Sequence, residues 1–468
     1  MNILQACANP ELFAPWFRKP ETYQSWFAFL AALFGLEMTE EQAEIYRKHT
    51  GRQELPTEPF NEAWLVVGRR GGKSLFMAIA AVFLAAFFDY SKYLVPGERA
   101  TVMVIAADRR QARTIIRYIK GMLSIIPVLK ELVERETADE FELSNSVSIE
   151  VGTASFRSTR GYTYAAVLCD EIAFWRTDDA AEPDYAVLDA IRPGMATIPN
   201  SMLLCASSPY ARKGALWDAF KRYFGKSDGP LVWKASTREM NPTIRESTIA
   251  RAYERDPAVA SAEYGAEFRR DIEAYVSIEA LEACTAFGYT DRPFSSRTKY
   301  RAFVDPSGGV NDSFTLAVGH SETDKIVLDV VREKKPPLSP EGVIDEFCGI
   351  LKAYGIREVT GDRYGGEFPR EQFRKHGIAY KVAEHVRSDL YRNLLPIINS
   401  GRIELLDLPV LRSQLVNLER RVHRGGRETI DHAPNAHDDI ANAVAGLAST
   451  VAFGKRSPVA ASGIQRRN

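Results

Sequence analysis

The 468-residue sequence has few cysteines, almost no net charge and no long apolar segment. Its five cysteines are scattered and contain no close pair, which excludes a disulfide framework and a cysteine zinc site and favours a reducing cytoplasm. Because 60 basic side chains balance 61 acidic ones, a polyanionic partner must be bound by local basic patches. The longest apolar run, residues 75–88, is shorter than the roughly 20 residues of a membrane-spanning helix and predicts a core helix. The N-terminus lacks the pattern of a signal peptide, so we expect no export.

Short apolar runs alternate with helical stretches between residues 63 and 208. This pattern is typical of a parallel sheet with helices on both faces. The candidate strands are residues 64–67, 101–106, 146–151, 165–169 and 201–206. Since ligands gather at the carboxyl ends of such strands, the polar residues that follow them are the candidate site residues.

Charged, helical sequence between about residues 240 and 298 predicts a connector. A second series of strands is predicted at residues 300–304, 315–319, 325–331 and 358–361, followed by a helix from about residue 433 to 451. We therefore expect five segments: a helical lead-in (1–60), an α/β domain (61–240), the connector (241–298), a second α/β domain (299–452) and a basic, disordered tail (453–468).

The stretch VVGRRGGKS, residues 66–74, resembles a phosphate-binding loop that is one residue short. It lies between an apolar strand and an apolar helix, as such loops do. Its glycines would turn backbone N–H groups toward the phosphates of ATP, Lys73 would reach the β- and γ-phosphates, and Ser74 would hold Mg²⁺. A basic turn that opens a core helix is the alternative. The candidate nucleotide-binding residues are Gly68, Arg69, Arg70, Gly71, Gly72, Lys73 and Ser74.

Two further strands end in residues that complete such a site. The strand AAVLCDE ends in Asp170, which can hold Mg²⁺ through water, and Glu171, which can polarise the attacking water. An Asp-Glu strand end is common alone, but after a phosphate loop it favours an ATPase. Ser207 and Ser208 follow the next strand and are candidates for sensing the γ-phosphate, with a simple polar turn as the alternative.

Arg157 and Arg160 precede the Asp-Glu strand. Either could stabilise the charge of the transition state as an arginine finger. A solvated loop arginine is the alternative for each.

Carboxylates mark a second candidate site near the C-terminus. Asp305 and Asp362 each end a predicted strand, and Asp438 and Asp439 open the last helix after His437. Two divalent cations would relieve the repulsion in such a cluster and clamp a scissile phosphate. Each residue has an alternative reading as a turn or helix-capping residue, but the joint pattern favours a metal-dependent nuclease.

The order of these motifs resembles the large terminase subunit of tailed bacteriophages, which packages DNA into capsids. The resemblance extends from about Trp64 to Val451. In that family a short loop of the type Gly/Ser-Arg-x-x-Gly-Lys-Ser/Thr is normal, and residues 68–74 match it. The other matching pieces are Arg160-Gly161, Asp170-Glu171, Ser207-Ser208-Pro209, Tyr264-Gly265-Ala266-Glu267-Phe268, Asp305, Asp362 and His437-Asp438-Asp439.

The resemblance implies a P-loop ATPase domain that translocates double-stranded DNA and a ribonuclease-H-like nuclease domain that cuts concatemeric DNA with two Mg²⁺ or Mn²⁺ ions. Arg160 becomes the better arginine-finger candidate, in its own or a neighbouring subunit. The implied partners are a portal ring, a small terminase subunit and further copies of the chain, in the host bacterial cytoplasm and transiently on the procapsid, without a membrane. The implied catalytic residues are Glu171, Arg160, Asp305, Asp362 and Asp439. The implied metal ligands are Ser74, Asp170, Asp305, Asp362, Asp438 and Asp439.

Three alternatives share part of these features. A DNA helicase or translocase with an associated nuclease in repair or recombination would have both sites without packaging. A junction resolvase would have only the carboxylate site. A scaffold with decayed sites is disfavoured by the intact Lys73, Glu171 and carboxylates.

Overall fold

The computed structural model describes residues 1–154, 159–175, 183–310, 312–362, 367–422, 428–433 and 436–453. The chain divides into two compact units, Met1–Glu273 and Ala274–Asn468. Within the described ranges, each helix is too short or too polar to cross a membrane. Arg157 and the predicted tail from residue 454 onward lie outside the described residues.

The first unit is built on an eight-stranded sheet in the order β3-β4-β5-β2-β6-β7-β1-β8. The pairings from β5 to β8 are parallel, and β4 pairs antiparallel with both β3 and β5. Because β6, β7 and β1 are parallel neighbours, their carboxyl ends lie side by side, and the predicted mostly parallel sheet is confirmed. The strands are β1 (Glu62–Val67), β2 (Ala100–Ala106), β3 (Val133–Glu136), β4 (Glu140–Leu143), β5 (Val147–Thr153), β6 (Thr163–Asp170), β7 (Met202–Ser207) and β8 (Leu231–Ala235).

Helices cover this sheet according to their apolar faces. The helix α4 is apolar around most of its circumference and is buried along most of its length, as such helices are. The helix α5 buries one apolar face and is capped by the Asp108 side chain. The helices are α1 (Ile3–Ala8), α2 (Gln24–Leu33), α3 (Glu40–Thr50), α4 (Lys73–Phe87), α5 (Arg109–Ile125), α6 (Pro127–Leu132), α7 (Pro183–Met195), α8 (Ala215–Tyr223), α9 (Thr237–Met240), α10 (Glu246–Arg255) and α11 (Pro257–Glu263).

The N-terminal segment belongs to the core of the first unit. Trp26, Phe29 and Leu30 of α2 are buried in the same apolar cluster as Val67 of β1 and Met77 of α4. The segment that precedes the phosphate loop in the sequence therefore packs beneath it.

The second unit contains a seven-stranded sheet in the order β10-β16-β13-β12-β11-β14-β15. The strands β13, β12 and β11 are antiparallel, and β14 and β15 continue the sheet parallel to β11. This arrangement agrees with the predicted ribonuclease-H-like fold class. The strands from the unit boundary onward are β9 (Ile272–Ala274), β10 (Thr285–Ala286), β11 (Tyr300–Asp305), β12 (Phe314–Glu322), β13 (Lys325–Lys334), β14 (Glu358–Gly361), β15 (Ala379–Val382), β16 (Ile403–Leu406) and the antiparallel pair β17 (Leu418–Val422) and β18 (Glu428–His432).

Helices complete the second unit, and α17, the last one in the described part of the chain, packs against its central strands. This helix, α17, contacts β11, β12 and β13 and is buried from Ile440 to Ala448. Its first residue is Asp439, so the helix start brings the predicted acidic pair to the sheet. The helices are α12 (Ile278–Ala283), α13 (Pro340–Ala353), α14 (Phe368–Lys375), α15 (Arg387–Asn399), α16 (Pro409–Val416) and α17 (Asp439–Phe453).

Gly446 of α17 allows this close contact with β11. A Cβ atom built at Gly446 would lie 2.5 Å from three ring atoms of the buried Phe303. We expect Gly446→Ala to lower the free energy of unfolding by about 1–3 kcal/mol, because the overpacking outweighs the gain in helix propensity. Urea unfolding of the purified chain measures the change.

Gly349 provides the matched control. It lies exposed within α13, and a Cβ atom built there would meet nothing within 4 Å. Gly349→Ala is therefore expected to raise the free energy of unfolding by up to about 1 kcal/mol. Equal effects of the two substitutions would show that Phe303 does not constrain position 446.

Candidate active sites

The phosphate loop is a tight turn between β1 and α4. The Gly71 N–H donates to the Gly68 carbonyl at 3.1 Å, and Arg70 and Gly72 have positive φ angles of 65° and 104°. A Cβ atom at Gly68 would lie 2.5 Å from the hydroxyl of Thr237. The short loop therefore depends on glycine both for its backbone angles and for its close approach to α9.

Lys73 and Glu171 meet at the carboxyl edge of the sheet. The Lys73 Nζ is buried, donates to the Val67 carbonyl at 3.1 Å and lies 3.2 Å from Glu171 Oε1. Glu171 has a left-handed backbone, with φ of 51°. Its Oε2 accepts hydrogen bonds from the Ser207 hydroxyl at 3.0 Å and from the Ser208 N–H at 3.1 Å. The ends of β1, β6 and β7 thus bring these predicted site residues together.

Asp170 is buried beside this cluster. Burial and the neighbouring Glu171 raise the pKa of its carboxyl, while Lys73 and the Ser74 hydroxyl act in the opposite direction. Its Oδ1 is buried and has no hydrogen-bond partner in the part of the chain that the structure describes. A buried oxygen of this kind needs a donor or a cation, so Asp170 and Ser74 fit the water shell of Mg²⁺ bound to a nucleotide.

The two loop arginines, Arg69 and Arg70, connect the phosphate loop to Glu263 and Asn241. The Arg69 guanidinium pairs with Glu263, with 2.6 Å between Nη1 and Oε1. Arg70 has an exposed side chain, and its carbonyl accepts from Asn241 Nδ2 at 2.9 Å. The loop is thereby attached to residues of the predicted connector, and nucleotide contacts of both arginines stay predictions.

Arg160 is exposed in the loop before β6. Its assignment as arginine finger stays a prediction, and the competing Arg157 lies outside the described residues.

Sequence reasoning missed the aromatic side chains that hold this site. The indole N–H of Trp26 donates to the Gly71 carbonyl at 2.8 Å, and that of Trp175 donates to the Asp170 carbonyl at 2.9 Å. The sequence does not distinguish these two tryptophans from others, because most buried tryptophans serve only packing.

Asp305, Asp362 and Asp439 lie at one edge of the second sheet. Asp305 ends β11, Asp362 follows its parallel neighbour β14, and Asp439 opens α17. Asp305 Oδ2 accepts from Asn442 Nδ2 at 2.7 Å. Burial raises the pKa of Asp305 to about 8; the neighbouring Asp362, Asp439 and Asp438 add to the rise, and the Asn442 hydrogen bond opposes it. The predicted carboxylates therefore form one electrostatic cluster.

The adjacent Asp438 and Asp439 have different surroundings. Asp438 is buried, and its two oxygens accept from Arg387 Nη1 at 3.1 Å and from the Tyr391 hydroxyl at 2.8 Å. Among the described residues, the Asp439 carboxylate accepts only a long contact of 3.4 Å, from the Ser313 N–H. Burial, followed by Asp438, raises its pKa to about 6. Asp439 is therefore the better candidate for a metal ligand, and Asp438 fixes the start of α17 against α15.

Binding of a metal ion by these carboxylates is predicted from their chemistry. Mg²⁺ and Mn²⁺ prefer oxygen ligands such as carboxylates. Within the described ranges, however, no three histidine, cysteine, aspartate or glutamate side chains are arranged to hold a metal ion. The predicted metal ligands stay predictions.

The sequence matches the family model described as uncharacterized protein MJ0330, N-terminal P-loop domain, over residues 10–266. The predicted P-loop domain is thus confirmed. No curated protein gives a significant match.

The solved structures similar to this chain include large terminases of bacteriophages. The large terminase of bacteriophage HK97 has 16% identity and a TM-score of 0.38, over 84% of this chain and 91% of that one. The large terminase of a thermophilic bacteriophage, in complex with ADP, has 12% identity and a TM-score of 0.37, over 84% and 95%. The large terminase nuclease of the thermophilic phage G20c with bound magnesium has 18% identity and a TM-score of 0.34, over 38% and 98%.

Proposed function

The chain belongs to the family described as uncharacterized protein MJ0330, N-terminal P-loop domain. We propose that it is an ATP-driven motor with a nuclease, the large subunit of a viral DNA-packaging machine. The first unit hydrolyses ATP to translocate double-stranded DNA into a procapsid, and the second cleaves concatemeric DNA. The observation that carries the proposal is the contact of Lys73 with Glu171 in a chain that also holds the Asp305 cluster.

The arrangement of Lys73 and Glu171 supports ATP hydrolysis. Lys73 leaves Glu171 and binds the β- and γ-phosphates, which frees the Glu171 carboxylate to accept a proton from water. Ser207 and Ser208 hold that carboxylate in place. The water oxygen then bonds to the γ-phosphorus as the bond to the β-phosphate oxygen breaks, which gives ADP and phosphate. Ser74 and Asp170 would hold the Mg²⁺ that neutralises the phosphate charge.

The second unit supports phosphodiester hydrolysis. Asp305, Asp362 and Asp439 would hold two divalent ions, Mg²⁺ or Mn²⁺, whose charge would activate water and stabilise the leaving oxygen. Asn442 orients Asp305 by binding one of its oxygens. Asp438 would contribute through the position of α17, since Arg387 and Tyr391 occupy its own oxygens.

The proposal includes the partners that packaging requires. Copies of the chain would form a ring on a portal protein, with a small terminase subunit that selects the DNA. Arg160 would act as arginine finger within one copy or toward the next. The motor would work in the host bacterial cytoplasm and transiently on the procapsid.

Metal removal tests both activities on the purified chain. We expect double-stranded DNA to stimulate ATP hydrolysis in Mg²⁺, and supercoiled plasmid to be cut in Mn²⁺ but left intact in EDTA. Phosphate release and agarose electrophoresis are the measurements. Plasmid cleavage that persists in EDTA would exclude the metal nuclease, and ATP hydrolysis indifferent to DNA would argue against the motor.

A further inference from the structure

Trp26 connects the N-terminal helix α2 to the phosphate loop. Its side chain is 1% exposed, and its indole Nε1 donates to the Gly71 carbonyl at 2.8 Å. The indole ring stacks on Phe76 of α4, with 4.3 Å between ring centroids and 7° between ring planes. The indole is therefore fixed by its stacking partner and, in turn, fixes the carbonyl.

The held carbonyl determines where the next amide points. The peptide between Gly71 and Gly72 is trans, and in a trans peptide the C=O and the following N–H point in opposite directions. The Gly72 N–H therefore lies on the side of the peptide away from Trp26. It has no hydrogen-bond acceptor among the residues that the structure describes.

The peptide in question joins two glycines, Gly71 and Gly72, so the local backbone does little to fix the orientation of the peptide plane. Gly72 has a φ of 104°, and glycine populates several backbone conformations at similar energy. A rotated peptide would direct the Gly71 carbonyl oxygen, with its negative partial charge, toward a bound phosphate. A hydrogen bond that holds the carbonyl on the opposite side prevents this rotation.

We infer that Trp26 is a positioning residue of the nucleotide site, which presents the Gly72 amide to a phosphate oxygen by holding the Gly71 carbonyl. The inference rests on the ATP binding proposed above. It assigns a function to the N-terminal segment, in which the sequence contains no nucleotide-binding motif.

Trp26→Phe separates the hydrogen bond from the packing, because phenylalanine keeps an aromatic ring on Phe76 and lacks the N–H. Trp64→Phe is the matched control. Trp64 is also buried in the first unit, but its indole N–H donates to Glu62 Oε1 at 2.8 Å, away from the loop.

The experiment measures the binding of ADP with Mg²⁺ by calorimetry, the ³¹P NMR spectrum of bound ADP and the thermal unfolding of each full-length variant. Trp26→Phe is expected to weaken ADP binding about tenfold, the effect of one hydrogen bond, and to shift the β-phosphate resonance. Trp64→Phe should bind ADP as the parent does.

The outcomes distinguish the inference from the proposed function. A parent chain that does not bind ADP would overturn the proposed nucleotide site. If the parent binds ADP and Trp26→Phe binds it equally well with an unchanged ³¹P spectrum, the positioning role is overturned alone. Equal losses of affinity in Trp26→Phe and Trp64→Phe would also overturn it, because they would reflect general packing.

Discussion

Lys73→Ala is expected to lower the rate of ATP hydrolysis by on the order of a thousandfold. The ammonium group is buried at the carboxyl edge of the sheet and pairs with Glu171 at 3.2 Å. Without it, the charge that develops on the transferred phosphoryl group loses the lysine cation of the phosphate loop. Phosphate release at saturating ATP, with and without DNA, measures the effect.

Lys120 offers a control of the same residue type. It is an exposed lysine on α5, and its Nζ lies 2.5 Å from Glu136, so Lys120→Ala should hydrolyse ATP at the parental rate. Plasmid cleavage by Lys73→Ala serves as an internal check, since the candidate nuclease residues belong to the other unit. ATP hydrolysis that survives in Lys73→Ala would place the nucleotide site elsewhere in the chain.

The residues of the phosphate site could be predicted because their signal is local. A glycine loop between an apolar strand and an apolar helix specifies its own turn, Glu171 directly follows β6, and Ser207 ends β7. Parallel strands carry such ends to the same edge of the sheet. Their meeting with Lys73 follows from the neighbouring positions of β6, β7 and β1, whereas the prediction specified only a mostly parallel sheet.

The supports of the loop could not be predicted, since they come from distant parts of the chain. Trp26 is 45 residues from Gly71, and Glu263 is 194 residues from Arg69. Neither contact changes the hydrophobic periodicity or the composition of its own segment. Only the packing of α2 and α11 against the loop places these side chains.

The difference between Asp438 and Asp439 also depends on tertiary contacts. In the sequence the two are equivalent carboxylates at a helix start. Asp438 lies just before α17 and Asp439 is its first residue. The first carboxylate meets Arg387 and Tyr391, and the second faces Ser313. The partners on α15 and just before β12 decide which carboxylate stays available to a cation.

Asp305→Asn is expected to abolish metal-dependent plasmid cleavage, with a loss of at least about a hundredfold, while ATP hydrolysis continues at the parental rate. Asp305 lies at the centre of the carboxylate cluster, and one of its oxygens already binds Asn442. Asparagine keeps the size of the side chain but removes the charge that a divalent ion requires. Cleavage assays in Mn²⁺ and calorimetric titration with Mn²⁺ should both report the loss.

The same substitution should not destabilise the fold, which separates a role in chemistry from a role in packing. Burial and repulsion raise the pKa of Asp305 to about 8, so the ionised carboxylate opposes folding, and its removal should leave the unfolding temperature equal or higher.

Asp345→Asn, at an exposed position of α13, is the control and should cut plasmid normally. Parental cleavage by Asp305→Asn would exclude this cluster as the nuclease centre. A stable Asp305→Asn chain that hydrolyses ATP but neither binds Mn²⁺ nor cuts DNA would assign the two activities to separate units.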